Sequence, residues 1–173
     1  MKQTIILLSI LGLAVTALPD NSVNSFEERY ALRQHLVGQM SPDFQVKDLA
    51  GQPRSSATYR GKVVLVDFWT TYCAFCLVEM PNVQSVYTRY RAQGFDVLGV
   101  SEDHQDVKPR LSAFVRAHNM TWPECFDDHA LGRIFLVEEF PSNYLIGRDG
   151  RIIGMDLFGK NLDAAVARAL AAK

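Results

Sequence analysis

Cys73-Ala74-Phe75-Cys76 places two thiols three positions apart, directly downstream of the apolar run Val63-Val64-Leu65-Val66-Asp67-Phe68-Trp69. A buried strand feeding straight into a helix would hold such a pair in a turn. The first sulfur then stands at the helix start, where unpaired backbone N–H groups and the helix dipole favour thiolate over thiol. In such a setting the thiol pKa falls from about 8.5 into a range of roughly 3.5 to 7.5, and the thiolate is the attacking species. The chemistry this spacing points to is thiol–disulfide exchange, with Cys73 as nucleophile and Cys76 as resolving thiol.

Other uses of the pair fit less well. A zinc site needs a second ligand pair at suitable spacing. The remaining cysteine is Cys125, and the four histidines (His35, His104, His118, His129) are scattered. A disulfide across so short a loop gains about 2 kcal/mol at most from loop closure, which makes it a poor staple and a better switch. Cys125 reads as a small buried hydrophobe, with a third redox thiol as the sharper alternative.

Two carboxylates stand where they could handle the protons. Asp67 is the one polar residue of its run; burial there raises its pKa, so it could take the proton of Cys76. Glu79 lies one helical turn beyond Cys76, where a plain exposed carboxylate is the ordinary alternative.

The elements that position these groups can be read from periodicity. Phe44 to Leu49 alternates as an edge strand does, and Ala50-Gly51-Gln52-Pro53 turns it. Val63 to Phe68 is apolar on both sides, as a central strand is. From Cys73 to about Gln93, Leu77, Met80, Val83, Val86, Tyr87 and Tyr90 recur at helical steps. Phe95 to Val100 is the next strand, parallel to the first across a right-handed crossover. A second helix opens at Pro109 and closes near Asn119, and Trp122 to Phe126 is a short extended piece. Asp127-Asp128 would cap a third helix through Ala130, Leu131, Ile134 and Phe135. Tyr144-Leu145-Ile146 and Ile152 to Met155 flank Arg148-Asp149-Gly150-Arg151, a hairpin turn with Asp-Gly at its centre. A last helix starts at Asn161 or Asp163. The sum is an α/β domain with a mixed central sheet covered by helices on both faces.

The chain of 173 residues, 48% hydrophobic with a formal charge of −1, suits one globular domain plus a short leader. It shows no basic stripe, which speaks against nucleic acid as a partner. Lys2 supplies a positive start, Thr4 to Leu18 is nearly all apolar, and Val15-Thr16-Ala17 offers small residues for a signal peptidase. The apolar stretch falls short of the ~20 residues that span a bilayer, so a cleaved signal over residues 1–17 is favoured over a retained anchor. Residues 18–38 then form an N-terminal linker turning helical near Phe26, and residues 39–173 the folded domain. Such a protein works in a periplasm or another exported compartment, where disulfides form and persist.

The order of elements, with Cys-x-x-Cys at the first long strand-to-helix junction, resembles a thioredoxin fold. Val64-Leu65-Val66-Asp67-Phe68-Trp69 followed by Cys73 is similar to the segment before the active site of thioredoxins. Phe140-Pro141-Ser142-Asn143-Tyr144-Leu145-Ile146 with Asp149-Gly150 is similar to the family's cis-proline strand and hairpin. Ser41-Pro42-Asp43-Phe44, Gly51 and Gly61-Lys62-Val63 form an N-terminal strand or hairpin extension that, with the leader, resembles the TlpA/ResA-like branch. Glu79 and Pro81 match the Glu and Pro that follow the motif there. The resemblance covers about residues 40–170.

The resemblance implies an exposed attacking sulfur at Cys73 and a more buried one at Cys76. It implies a cis peptide bond before Pro141, backbone groups at Phe140 offered to an extended substrate, Trp69 packed beside the disulfide and in reach of substrate, and Glu79 as the branch's buried acid. The departures are specific: Tyr72 stands in place of the usual tryptophan before the first cysteine, Ala74-Phe75 contains neither proline nor a basic residue, and Ser142 replaces a threonine. With no histidine between the cysteines to stabilise a thiolate, a strong oxidant is disfavoured.

The expectation is an exported thiol–disulfide oxidoreductase that reduces specific partner proteins and needs no metal or organic cofactor. The implied tasks include reduction of apocytochrome c cysteines, with electrons from a membrane thiol relay. A peroxiredoxin-like thiol peroxidase is the first alternative: Thr70 precedes Cys73 by three residues as that family requires, but Val66 stands where its earlier proline belongs. A copper-binding chaperone on the same fold is the second, with His129 as the histidine to test.

Overall fold

A computed structural model describes residues 26–126 and 129–172. The expected leader and the expected cap at Asp127-Asp128 lie outside the described residues. In chain order the main elements are α1 (Phe26–Gln34), β1 (Gln45–Lys47), β2 (Pro53–Ser55), β3 (Val63–Trp69), α2 (Ala74–Tyr90) and β4 (Phe95–Ser101). They continue with α3 (Lys108–Ala117), β5 (Glu124–Phe126), α4 (Ala130–Ile134), β6 (Ser142–Ile146), β7 (Ile152–Met155) and α5 (Lys160–Ala171).

Five strands make one mixed sheet in the order β5-β4-β3-β6-β7. β3 runs parallel to β4 and antiparallel to β6; β4 is parallel to β5, and β6 antiparallel to β7. The uninterrupted apolar stretch of β3 follows from its place at the centre. Val63, Leu65 and Trp69 pack in one cluster with Cys76, Met80, Val83 and Val86 of α2 and Leu162 and Val166 of α5. Val64, Val66 and Phe68 pack on the other face with Phe44, Phe135 and Tyr144. Successive side chains of a strand point to opposite faces, so each alternate set needs its own apolar cover.

The segment Phe44 to Leu49 does not extend the main sheet as an edge strand. β1 pairs with β2 in a separate two-stranded sheet, and the Asp48–Cys125 bridge and the Leu49 N–H to the Glu124 carbonyl (2.7 Å) stitch it to β5. The turn closes tightly because Asp48 Oδ1 accepts from the N–H groups of Ala50 and Gln52, and Gly51 takes a positive φ of 79°. The segment expected as a linker contains α1, which Arg33 ties down: its Nε donates to Tyr144 Oη and its Nη2 to Asp156 Oδ1, each at 2.9 Å. α4 is shorter than its periodic pattern suggests. The turn at Asp149-Gly150 is present, with Gly150 at φ 87° between β6 and β7.

Candidate redox site

The hydrophobic stripe of α2 sets the asymmetry of the two cysteines. Cys76 belongs to the same buried line as Met80, Val83 and Val86 and is 3% exposed. Cys73, one turn earlier, is the N-cap of α2 and half-buried. The two are joined as a disulfide. The Cys76 N–H donates to Cys73 Sγ at 3.1 Å, so the sulfur occupies the place a capping oxygen normally takes. A thiolate at that point gains from both the N–H and the helix dipole.

Around Cys73 the surface is apolar: Tyr72 is 64%, Phe75 75% and Val78 72% exposed.

Behind the sulfurs the sheet carries a polar row. The registers place Asn143 of β6, Asp67 of β3, Gly99 of β4 and Glu124 of β5 opposite one another. Residues in register share a face, and this is the face covered by α2. Burial pushes the Asp67 carboxyl up to about 7, and the nearby Glu79 carboxylate adds to the shift. Glu79 itself is partly buried and occupied: its Oε2 accepts from Asn82 Nδ2 at 3.1 Å and from the Gly159 N–H, the N-cap of α5, at 3.0 Å. A carboxylate at a helix start is well placed against the dipole. Glu79 therefore clasps α2 to α5 and bears on Asp67 through its charge.

Trp69 is 1% exposed. Its ring stacks on Phe114 with centroids 5.6 Å apart, and its Nε1 donates to Glu124 Oε2 at 2.9 Å. It packs within the same cluster as Cys76.

The peptide before Pro141 is cis. Since Ser142 pairs with Phe68, Pro141 comes opposite the end of β3 where the chain turns toward Cys73. Phe140 packs against both hydrophobic clusters.

Two acids at the site escaped the sequence reading. Asp103 is fully buried and holds the loop between β3 and α2: it accepts from the Thr71 N–H at 3.0 Å, from Thr71 Oγ1 at 2.7 Å and from Ser101 Oγ at 2.8 Å. The run Ser101-Glu102-Asp103, polar directly after an apolar strand, is the signal that could have found it. Glu124 is 3% exposed, and burial raises its carboxyl well above the ordinary range, with Asp67 adding to the rise against the pull of the Trp69 and Trp122 indoles. Its neighbours Trp122 and Cys125 mark the segment as buried, and that was the available hint.

His129 is engaged elsewhere, its Nδ1 2.5 Å from Glu102 Oε2. Among the described residues no three His, Cys, Asp or Glu side chains gather in a way that could hold a metal. Also among them, no helix is long and apolar enough to cross a membrane.

The sequence model of the AhpC/TSA family matches residues 37–155. The thiol-disulfide oxidoreductase ResA of Geobacillus thermodenitrificans (strain NG80-2) is 32% identical over 154 residues, covering 88% of this chain and 83% of that protein. The thioredoxin domain of a thiol-disulfide oxidoreductase from Bacteroides vulgatus superposes with a TM-score of 0.70 at 26% identity, covering 76% of this chain and 96% of that domain. A thiol:disulfide interchange protein from Bacteroides sp. gives a TM-score of 0.69 at 26% identity over 79% of this chain and 91% of its own.

Proposed function

The chain belongs to the AhpC/TSA family and is a ResA-like thiol–disulfide oxidoreductase of thioredoxin fold; on that premise we propose that it reduces disulfides of specific exported proteins through Cys73 and Cys76. The observation that carries this reading is the asymmetry of the pair: a half-buried sulfur at a helix N-cap within an apolar surface, and a buried one on the face that holds Asp67.

In the reduced protein the Cys73 thiolate attacks one sulfur of a partner disulfide. The partner's S–S bond breaks, its second sulfur leaves with the electron pair, and a mixed disulfide forms. Asp67, as carboxylate, then takes the proton of the Cys76 thiol. The Cys76 thiolate attacks Cys73 Sγ, the second partner thiol departs, and the chain is left oxidised as Cys73–Cys76. Two electrons have passed to the partner. Phe140 and Pro141 flank the path an extended partner segment would take, with Tyr72, Phe75 and Val78 giving it apolar contact.

The oxidised pair must be recharged, and a membrane thiol relay is the donor this cycle calls for. An exported location is the expectation that the apolar run from Thr4 to Leu18 supports. A partner with closely spaced cysteines, such as apocytochrome c, suits an exchange that ends in two free thiols.

The deciding measurement is the equilibrium potential of the Cys73–Cys76 pair in thiol buffers, together with trapping of the partner on a Cys76→Ser variant. A potential at or below about −250 mV, where thioredoxin-type reductants lie, with a mixed disulfide on Cys73, is expected. A potential near about −120 mV would reverse the direction of electron flow.

A further inference from the structure

Glu124 sits where a charge is costly, yet the fold makes room for it. It shares the cross-sheet row with Asp67, and the residue between them is Gly99. A Cβ at Gly99 would fall 2.1 to 2.2 Å from the Glu124 carboxyl atoms, so this glycine is what lets the carboxyl lie over β4 toward β3. Trp69 fixes one oxygen through the 2.9 Å hydrogen bond to Oε2. The other, Oε1, is buried, with the Trp122 indole as the donor that pulls on the carboxyl from that side. Glu124 and Trp122 also line a cleft of about 260 Å³ that opens at the surface beside Arg116 and Ser112 of α3 and Asp48 and Leu49 of the β1–β2 turn. That opening belongs to the β5 side of the sheet, whereas the disulfide stands where β3 passes into α2.

We infer that Glu124 is a positioning residue acting through Asp67: across the gap at Gly99 it carries the proton that Asp67 takes from Cys76 toward the cleft beside Trp122, and back again. This rests on the reading of Asp67 as the base for Cys76. A docked partner covers the surface around Cys73, so a second way out for the proton keeps Asp67 in equilibrium with solvent during the exchange. The balance is simple. Cys76 loses one proton and Asp67 gains it; a protonated Glu124 gives its own proton to water through the cleft, the Asp67 proton then passes to Glu124, and no electrons move. The ionisable group that bears on Asp67 is Glu79 from α2, and the ionisable groups that line the cleft beside Glu124 are Asp48 and Arg116. Burial raises both carboxyls and Asp67 adds to the rise of Glu124, so they do not ionise together and the pair keeps at least one proton throughout.

The test is the release of a model mixed disulfide from Cys73 in the full chain, followed by stopped flow across pH and buffer concentration. Glu124→Gln is expected to slow release about tenfold, to make it sensitive to the concentration of small proton carriers such as imidazole, and to raise the solvent deuterium effect. Glu124→Asp should recover part of the rate. A Glu124→Gln protein with the unaltered chain's rate and no buffer dependence overturns the relay and leaves Asp67 untouched. If Asp67→Asn also keeps the unaltered rate and pH profile, the base reading itself has failed. Should Glu124→Gln not fold, infrared difference spectra of the unaltered chain between its oxidised and reduced forms decide. Two buried carboxyl bands that respond to reduction, one of them abolished by Asp67→Asn, support the relay; a single band overturns it.

Discussion

Asp48 and Asp67 are two aspartates with opposite fates. Asp48, in the turn between β1 and β2, takes the Nε and Nη2 of Arg54 on one oxygen at 2.9 and 2.7 Å, and two backbone N–H groups on the other. Burial would raise its pKa, but the Arg54 hydrogen bonds and the Gln52 and Ala50 N–H groups outweigh it and hold the carboxyl below the ordinary range. Asp67, in the middle of β3, is part-buried, lies in register between Asn143 and Gly99 with Glu79 for its charged neighbour, and its pKa is pushed up to about 7 by burial. Burial alone does not make a working acid. Burial without donors does, because only then is the ionised form left uncompensated.

The largest expected effects come from removing the acid. Asp67→Asn should slow the Cys76 step by ~100-fold near pH 8 and abolish the rise in rate through pH 7. The same change should stabilise the fold. A carboxyl whose folded pKa is raised from 3.8 to about 7 contributes stability that is full below pH 4 and lost as pH rises through 7. Asp67→Asn is then more stable than the unaltered chain at pH 8 by up to about 4 kcal/mol, and close to equal at pH 4, which urea unfolding at the two pH values will show.

Asp48→Ala should do the reverse. It leaves Arg54 and two backbone donors without their acceptor, a cost of about 2 to 3 kcal/mol at pH 7, with the exchange kinetics keeping their pH profile. Because the folded pKa of Asp48 is lowered, its contribution is present above the unfolded value and fades as pH falls through the folded one. The gap between Asp48→Ala and the unaltered chain should therefore narrow in acid, where the Asp67 effect is also absent.

Asp103 sharpens the contrast from the structural side. It is as buried as the core of β3 but satisfied by Thr71 and Ser101. Asp103→Asn should cost about 1 to 2 kcal/mol and loosen the loop before Cys73, seen as faster protease cleavage near Thr71.

The dithiol, the β3–α2 junction, the crossover and the β6–β7 turn were legible because each rests on local chemistry: a cysteine spacing, a period of two or 3.6, an Asp-Gly pair. The polar row was only half legible. Asp67 stood out against an apolar run, but Glu124 reaches the site through register two strands away and through the absence of a side chain at Gly99, and neither leaves a trace in local sequence. The stacking of Trp69 was not legible for a related cause: its neighbour Phe114 comes from α3, far along the chain. The pairing of β1 with β2 instead of the main sheet also depends on a long-range choice, made by the Asp48 turn.

The smallest expected effect concerns the third cysteine, and it carries the comparison from acids to thiols. Cys76 and Cys125 are about equally buried, at 3% and 0% exposure. Cys76 lies in the cluster under α2, whereas Cys125 lies in the cluster on the opposite face of the sheet, with its thiol 3.4 Å from the Gly99 carbonyl. The sheet separates the two sulfurs, so the third-thiol alternative would require the strands to part. Cys125→Ala should cost about 1 kcal/mol, leave the Cys73–Cys76 potential where it was, and remove no exchange activity. In the native chain Cys125 should react with an alkylating reagent only as fast as the domain opens, with the rate rising with urea in step with unfolding. Labelling at a rate independent of urea would mean that β5 parts from β4 in the native state, and would return Cys125 to the list of redox thiols.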